Sequence, residues 1–188
     1  MVEPAVEERI RAHLACADHA GAATEAIRSY GPKILAYLRS VLRDEAAASE
    51  VFCIFSEHLW KGMATFESAS SFSTWAYRVA WGAVRRFHED GYRRRARSFA
   101  TSEASRLAEE IRSSTAAHLR TDVKDRVAQL RASLTPEEQT LLTLRIDRDL
   151  SWSEVAEVLG DADEAALRKR FERIKNRLRK LASEAGLL

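Results

Sequence analysis

The chain has 188 residues, 46% hydrophobic and 31% charged, with only 7 Gly and 3 Pro, which excludes a disordered or turn-rich chain and favours helix. Its net charge of +2 hides two basic blocks, 61–97 and 164–188, each with 8 basic and 3 acidic residues, set against net −3 over 1–60 (6 basic, 9 acidic) and net −5 over 98–163 (8 basic, 13 acidic); such a pattern suits two contacts with a polyanion. No apolar run is long enough to cross a membrane, the N-terminus lacks the features of a signal peptide, and Cys16 and Cys53 form no CxxC pair, so a reduced cytoplasmic protein without membrane insertion is expected.

Val6, Ile10 and Leu14, spaced by four, predict a short amphipathic helix over 5–17. A second helix is predicted from Ala22 to Leu42, bent or restarted at Gly31-Pro32. A third spans about 45–60, with Val51, Phe52, Phe55 and Leu59 on one side. Residues 62–71 read as a loop. A fourth helix follows over 72–88, with Phe72, Trp75, Ala76, Val79, Ala83 and Phe87 as its apolar face and a basic tail at 91–97.

Residues 98–122 are polar and weakly periodic and read as a linker, with partial helix through Leu107 and Ile111. Helical periodicity returns at Val123, Val127, Leu130 and Leu134. Thr135-Pro136-Glu137-Glu138 and Ser151-Trp152-Ser153-Glu154 are two capping boxes. Gly160 supplies a left-handed stop, and Asp161 or Asp163 can cap a last helix from Glu164 to about Ala182.

Two constellations carry function. Residues 151–181 have the outline of a helix-turn-helix. Leu167, Phe171, Ile174, Leu178 and Leu181 form an apolar stripe; Arg168, Lys169 and Arg173 fall opposite it, and Arg170 and Arg177 flank it. Such a face suits duplex DNA, since Lys and Arg neutralise phosphates and Arg reads guanine edges; a solvated basic face or a coiled-coil seam would give a similar pattern. Over 71–95, aromatic residues interleave with arginines, as on surfaces that stack unpaired bases. Phe72 and Trp75 are assigned to the core, and Arg78, Trp81 and Arg85 to the exposed side.

Together these segments resemble the extracytoplasmic-function group of bacterial sigma factors. SYGPKILAYLRSVL (29–42) is similar to the opening helix of region two, SFSTWAYRVA (71–80) to its Ser-Phe-x-x-Trp-Leu-x-Arg-Ile-Ala motif with Ala76 for Leu, and 134–160 and 168–181 to region four. The resemblance implies an all-α fold of two small helical domains: an N-terminal extension (1–21), region two (22–97), a flexible linker (98–122) and region four (123–184). It implies core RNA polymerase as partner, through the clamp helices of the beta-prime subunit and the flap of the beta subunit, and promoter DNA. It also admits an anti-sigma factor as regulator.

The implied minus-thirty-five contacts are Arg168, Lys169, Arg170, Arg173 and Lys175. Those to the melted minus-ten strand are Phe66, Arg78, Trp81 and Arg85. Polymerase docking falls to Glu50, Phe52, Cys53 and Glu57, in a stretch (50–56) that lacks the family's usual Gln-Glu pair. Two other readings stay open: a helix-turn-helix regulator acting without polymerase, and a sigma-derived adaptor that binds proteins. The scattered histidines and cysteines offer no metal-ligand spacing, and no nucleotide-binding or nucleophile motif is present. No cofactor, metal or catalytic residue is expected.

Overall fold

The computed structural model describes residues 4–66, 70–89, 103–115, 133–161 and 163–184. The chain divides into two compact units, Met1–Ala117 and His118–Leu188. Among the described residues every regular element is helical, the fold class that composition and periodicity predict. None of the described helices is long and apolar enough to cross a membrane.

The first unit contains α1 (Pro4–Ala15), α2 (His19–Leu42), α3 (Glu45–Gly62), a single 3-10 turn (Met63–Thr65), α4 (Phe72–Glu89) and α5 (Glu103–Thr115). Local chemistry sets the joints. The Asp18 carboxylate accepts from Gly21 N and opens α2, and Asp44 accepts from Ala47 N at 2.7 Å and opens α3. Between the two helices Arg43 adopts a left-handed φ of 56°, ending α2.

Helix α2 runs unbroken through Gly31-Pro32 instead of restarting there. Pro32 removes one backbone donor, but eleven residues of α2 are buried, from Ala22 to Val41. At 100° per residue they sweep about 220° of its surface, and α1, α3, α4 and α5 all pack against it. Packing on so many sides holds the helix through a local defect.

Residues 103–115, assigned by sequence to a linker with partial helix, form α5, which docks on α2 and α3 instead of hanging free. Ala104, Leu107, Ala108 and Ile111 are buried. Their spacing of 3, 1 and 3 is a narrow helical stripe, of which Leu107 and Ile111 were read from sequence. Gly31 makes room for it: a Cβ there would lie 3.2 Å from Phe52 Cζ and 3.3 Å from Ile111 Cγ1. Glu110 approaches Arg28 at 3.9 Å, and Arg112 pairs with Glu109.

The second unit contains α6 (Pro136–Leu142), which continues as a π-helical segment (Thr143–Asp147), then α7 (Trp152–Leu159) and α8 (Glu164–Glu184). Both predicted capping boxes form, Thr135 with Glu138 and Ser151 with Glu154. Gly160 ends α7 at φ 70°, and Asp163 caps α8 by accepting from Ala166 N at 2.9 Å. Leu141, Leu144, Leu150, Val155, Val158, Leu167, Phe171 and Ile174 are buried among these elements. Leu178 and Leu181, further along the predicted stripe, are half-buried. The basic tail at 91–97 and the periodic Val123, Val127 and Leu130 lie outside the described residues.

Docking of α5 makes a direct prediction. Ile111→Asp places a charge in an apolar contact and should release α5, so that limited proteolysis cuts within 103–115 in the variant but not in the unmodified chain. Thr135→Ala should lower the stability of the second unit by about 1 kcal/mol, read as a shift in its denaturant midpoint.

Candidate nucleic-acid and partner-protein interfaces

The helix-turn-helix comprises α7, which Gly160 ends, and α8, which Asp163 caps. Trp152, at the start of α7, packs edge-on against Phe171 of α8, with ring centres 5.5 Å apart. Arg145 lies 4.6 Å from the Trp152 ring centre and Arg168 5.7 Å. Arg145 also donates to the Leu150 carbonyl. The indole thus joins three elements and holds one end of α8 with two cations, a role absent from the sequence reading.

The five basic residues assigned to duplex contact separate into two sets. Arg168, Lys169 and Arg173 are exposed, with Arg168 also bound to Glu164 at 3.1 Å. Arg170 turns toward α6 and pairs with Glu137 at 2.9 Å, which raises its pKa through that hydrogen bond. Lys175 is half-buried, pairs with Glu172 and lies 5.4 Å from the Phe171 ring centre. Nearby, Arg177 donates to Glu138 at 2.7 Å. Burial pushes the Glu138 carboxyl up, but the Thr135 N–H and Arg177 outweigh it and hold its pKa below the ordinary value. Glu138 therefore closes the α6 cap and ties α8 to it.

In the first unit, Arg78 and Arg85 are exposed on α4, as predicted. Trp81 is not: it is 8% exposed and belongs to the core. The apolar stripe read from sequence centres near Phe72 and Ala76. The buried arc also takes in Tyr77, Ala80, Trp81 and Val84, which turns its centre by about 80° at 100° per residue. Trp81 falls at one edge of this arc, with Arg78 and Arg85 just beyond it.

Phe66 follows the 3-10 turn and packs on the start of α4, its ring centre 5.2 Å from Phe72 and 5.0 Å from Trp75. Phe72 and Trp75 are themselves 5.2 Å apart, and Tyr30 of α2 reaches Phe72 at 5.5 Å. This aromatic cluster anchors the near end of the loop that leads into α4.

Of the residues assigned to polymerase docking, Glu50, Cys53 and Glu57 share one half-exposed stripe of α3, three and four residues apart. Phe52 points the opposite way, is fully buried and stacks on Phe55 at 5.7 Å; it supports the stripe from the core and cannot touch a partner. Arg112 of α5 donates to Cys53 Sγ at 3.4 Å. Burial pushes the Cys53 thiol up despite Arg112, so it stays protonated. Cys16 and Cys53 are both free. No cluster of metal-ligating side chains occurs among the described residues.

Residues 26–102 match the family described as sigma-70 region 2. Among solved structures, the chain is similar to the sigma factor RpoE from Bartonella quintana, crystallised in complex with the anti-sigma factor NepR. The TM-score is 0.60 at 16% identity, covering 84% of this chain and 94% of that one. Among curated protein sequences, none matches the chain.

Beside the α3 stripe, the His58 ring lies 3.3 Å from Arg86 Nη1 of α4. Burial first, then Arg86 and Lys61, lower its pKa below 6.5, while Glu57 opposes them. The folded chain thus resists protonating His58, whereas the unfolded chain protonates near 6.5. The stability this gives is complete above pH 6.5 and is lost as pH falls from there through the depressed folded value. The urea midpoint should fall between pH 7.5 and pH 5.5, and by less in His58→Gln; an equal fall in both proteins would show that His58 does not contribute.

Proposed function

We propose that the chain is a sigma factor of the sigma-70 family: it binds core RNA polymerase, recognises the minus-thirty-five and minus-ten promoter elements and promotes melting of the duplex. One observation carries this reading. A region 2 segment is followed in the same chain by a helix-turn-helix whose last helix exposes Arg168, Lys169 and Arg173. A regulator acting without polymerase needs only the second of these.

In this reading α8 enters the major groove at the upstream element. Arg168, Lys169 and Arg173 make the contacts, with Arg170 and Lys175 held back by Glu137 and Glu172. The minus-ten strand runs along the exposed side of α4, where Arg78 and Arg85 hold its backbone. The loop after Phe66 receives an unpaired base, a step whose unstacking cost base contacts must offset. Trp81 supports that helix from within. The stripe Glu50, Cys53, Glu57 faces the beta-prime clamp helices, and the second unit faces the beta flap. The co-crystal of RpoE with NepR supports an anti-sigma factor as a further partner. Nothing in this work of binding and opening requires a catalytic group.

The decisive test is co-purification with core polymerase followed by promoter-dependent transcription in vitro. Arg168→Ala should weaken binding to the upstream duplex by about 1–3 kcal/mol if it reads a base edge. Arg78→Ala with Arg85→Ala should leave core binding intact and slow promoter opening, read by permanganate reactivity of unpaired thymines. Trp81→Ala should instead lower the stability of the fold. Normal opening by the double arginine variant would remove the single-strand role from these side chains.

A further inference from the structure

Glu7 lies in the N-terminal extension, before the region 2 match begins at residue 26. It is a carboxylate only 6% exposed, in a helix already held by the buried Val6 and Ile10. Burying a charge costs free energy unless it is well partnered, so Glu7 is not there for packing alone. Its Oε1 accepts from Ser73 N at 3.4 Å, sixty-six residues away, and its Oε2 accepts from Arg11 at 3.1 Å.

Ser73 is the second residue of α4, whose first backbone N–H groups lack partners within the helix. The cap is divided. The Ser71 hydroxyl takes Thr74 N at 3.1 Å, the Ser71 carbonyl takes Trp75 N at 3.1 Å, and Glu7 takes Ser73 N. A carboxylate there also faces the positive end of the α4 dipole. Phe72, next to Ser73, and Trp75, two residues on, are the two rings that hold Phe66.

We propose that Glu7 is a positioning residue for the minus-ten strand: the N-terminal extension supplies the carboxylate that fixes the start of α4, and with it the aromatic anchor of the base-receiving loop. The proposal rests on the sigma-factor reading of α4 and its loop. It gives α1 a share in DNA recognition although α1 lies outside the family segment. Glu7 itself touches no DNA and acts through Ser73.

Three chains decide it: unmodified, Glu7→Gln, which keeps an oxygen acceptor, and Glu7→Ala, which does not. Amide hydrogen exchange in the free proteins should show faster exchange at 72–75 in Glu7→Ala, near-normal exchange there in Glu7→Gln, and no change in α3. In holoenzyme, Glu7→Ala should bind a single-stranded oligonucleotide carrying the non-template minus-ten sequence about tenfold more weakly, the loss expected for one hydrogen bond to a charged group. Glu7→Gln should recover most of that loss, and affinity for core polymerase should be equal in all three. The proposal is overturned if exchange at 72–75 is the same in all three chains. It is equally overturned if strand and core affinities fall together, as general destabilisation would give. If the unmodified holoenzyme binds no such strand, it is the sigma-factor reading that fails, and with it the recognition role proposed for Glu7.

Discussion

Burial of α2 is the constraint on which the first unit depends. Its buried residues sweep more than half of the helix surface, so α2 meets four other helices rather than one layer. Fully burying a large aliphatic or aromatic side chain stabilises by about 1.5–3 kcal/mol, and Ile27, Ile34, Leu35 and Leu38 are each fully buried. That sum greatly exceeds the roughly 3 kcal/mol that proline costs within a helix. The Gly31-Pro32 pair therefore does not break α2. It narrows the helix at one point, and α3 and α5 close over the gap. The faces proposed for polymerase and DNA are what remains: the outer stripe of α3 and the arginine edge of α4 are half-exposed or exposed.

The second unit is held differently. Its α6 and α7 have only seven and eight residues, too short to be stable by propensity. Each begins with a complete capping box, and each is tied to its neighbours by a side chain with two tasks. Glu138 closes the α6 cap and holds Arg177. Trp152 starts α7, packs on Phe171 and carries Arg145 and Arg168. Such local ties set the angle at which α8 leaves the turn.

What could be read from sequence follows from the range of the interactions. The caps at Thr135 and Ser151, the left-handed Gly160 and an aspartate cap on α8 involve groups within a few residues of one another and were legible, though the choice of Asp163 over Asp161 was left open. The all-helical fold and the exposed Arg78, Arg85, Arg168 and Arg173 followed from periodicity. Trp81 was misplaced because Phe72, Trp75 and Val79 suggested a core direction, whereas α4 is packed along a wider arc set by α2 and α3. Phe52 was misplaced because the resemblance assigns a whole segment to docking, which overrode the apolar side that Phe52 shares with Val51, Phe55 and Leu59. Partial helix through Leu107 and Ile111 was legible, but the polar surface of α5 hid its docking on α2 and α3. Glu7 gave no local sign, since its partner is Ser73 and only the folded chain brings them together.

The pairing of Arg170 and Arg177 with Glu137 and Glu138 bears on how charge is counted in this helix. Counterions condensed on a duplex are released when free cations neutralise its phosphates, and a cation that already holds a protein carboxylate is not free to do so. It must first give up its internal partner, and the carboxylate must then be rehydrated beside a polyanion. Of the 8 basic residues in 164–188, those two would therefore add little to the ion release that accompanies the proposed duplex binding. The electrostatic footprint of α8 is narrower than its composition suggests. Arg170 and Arg177 serve instead as internal mortar for the domain that presents Arg168, Lys169 and Arg173.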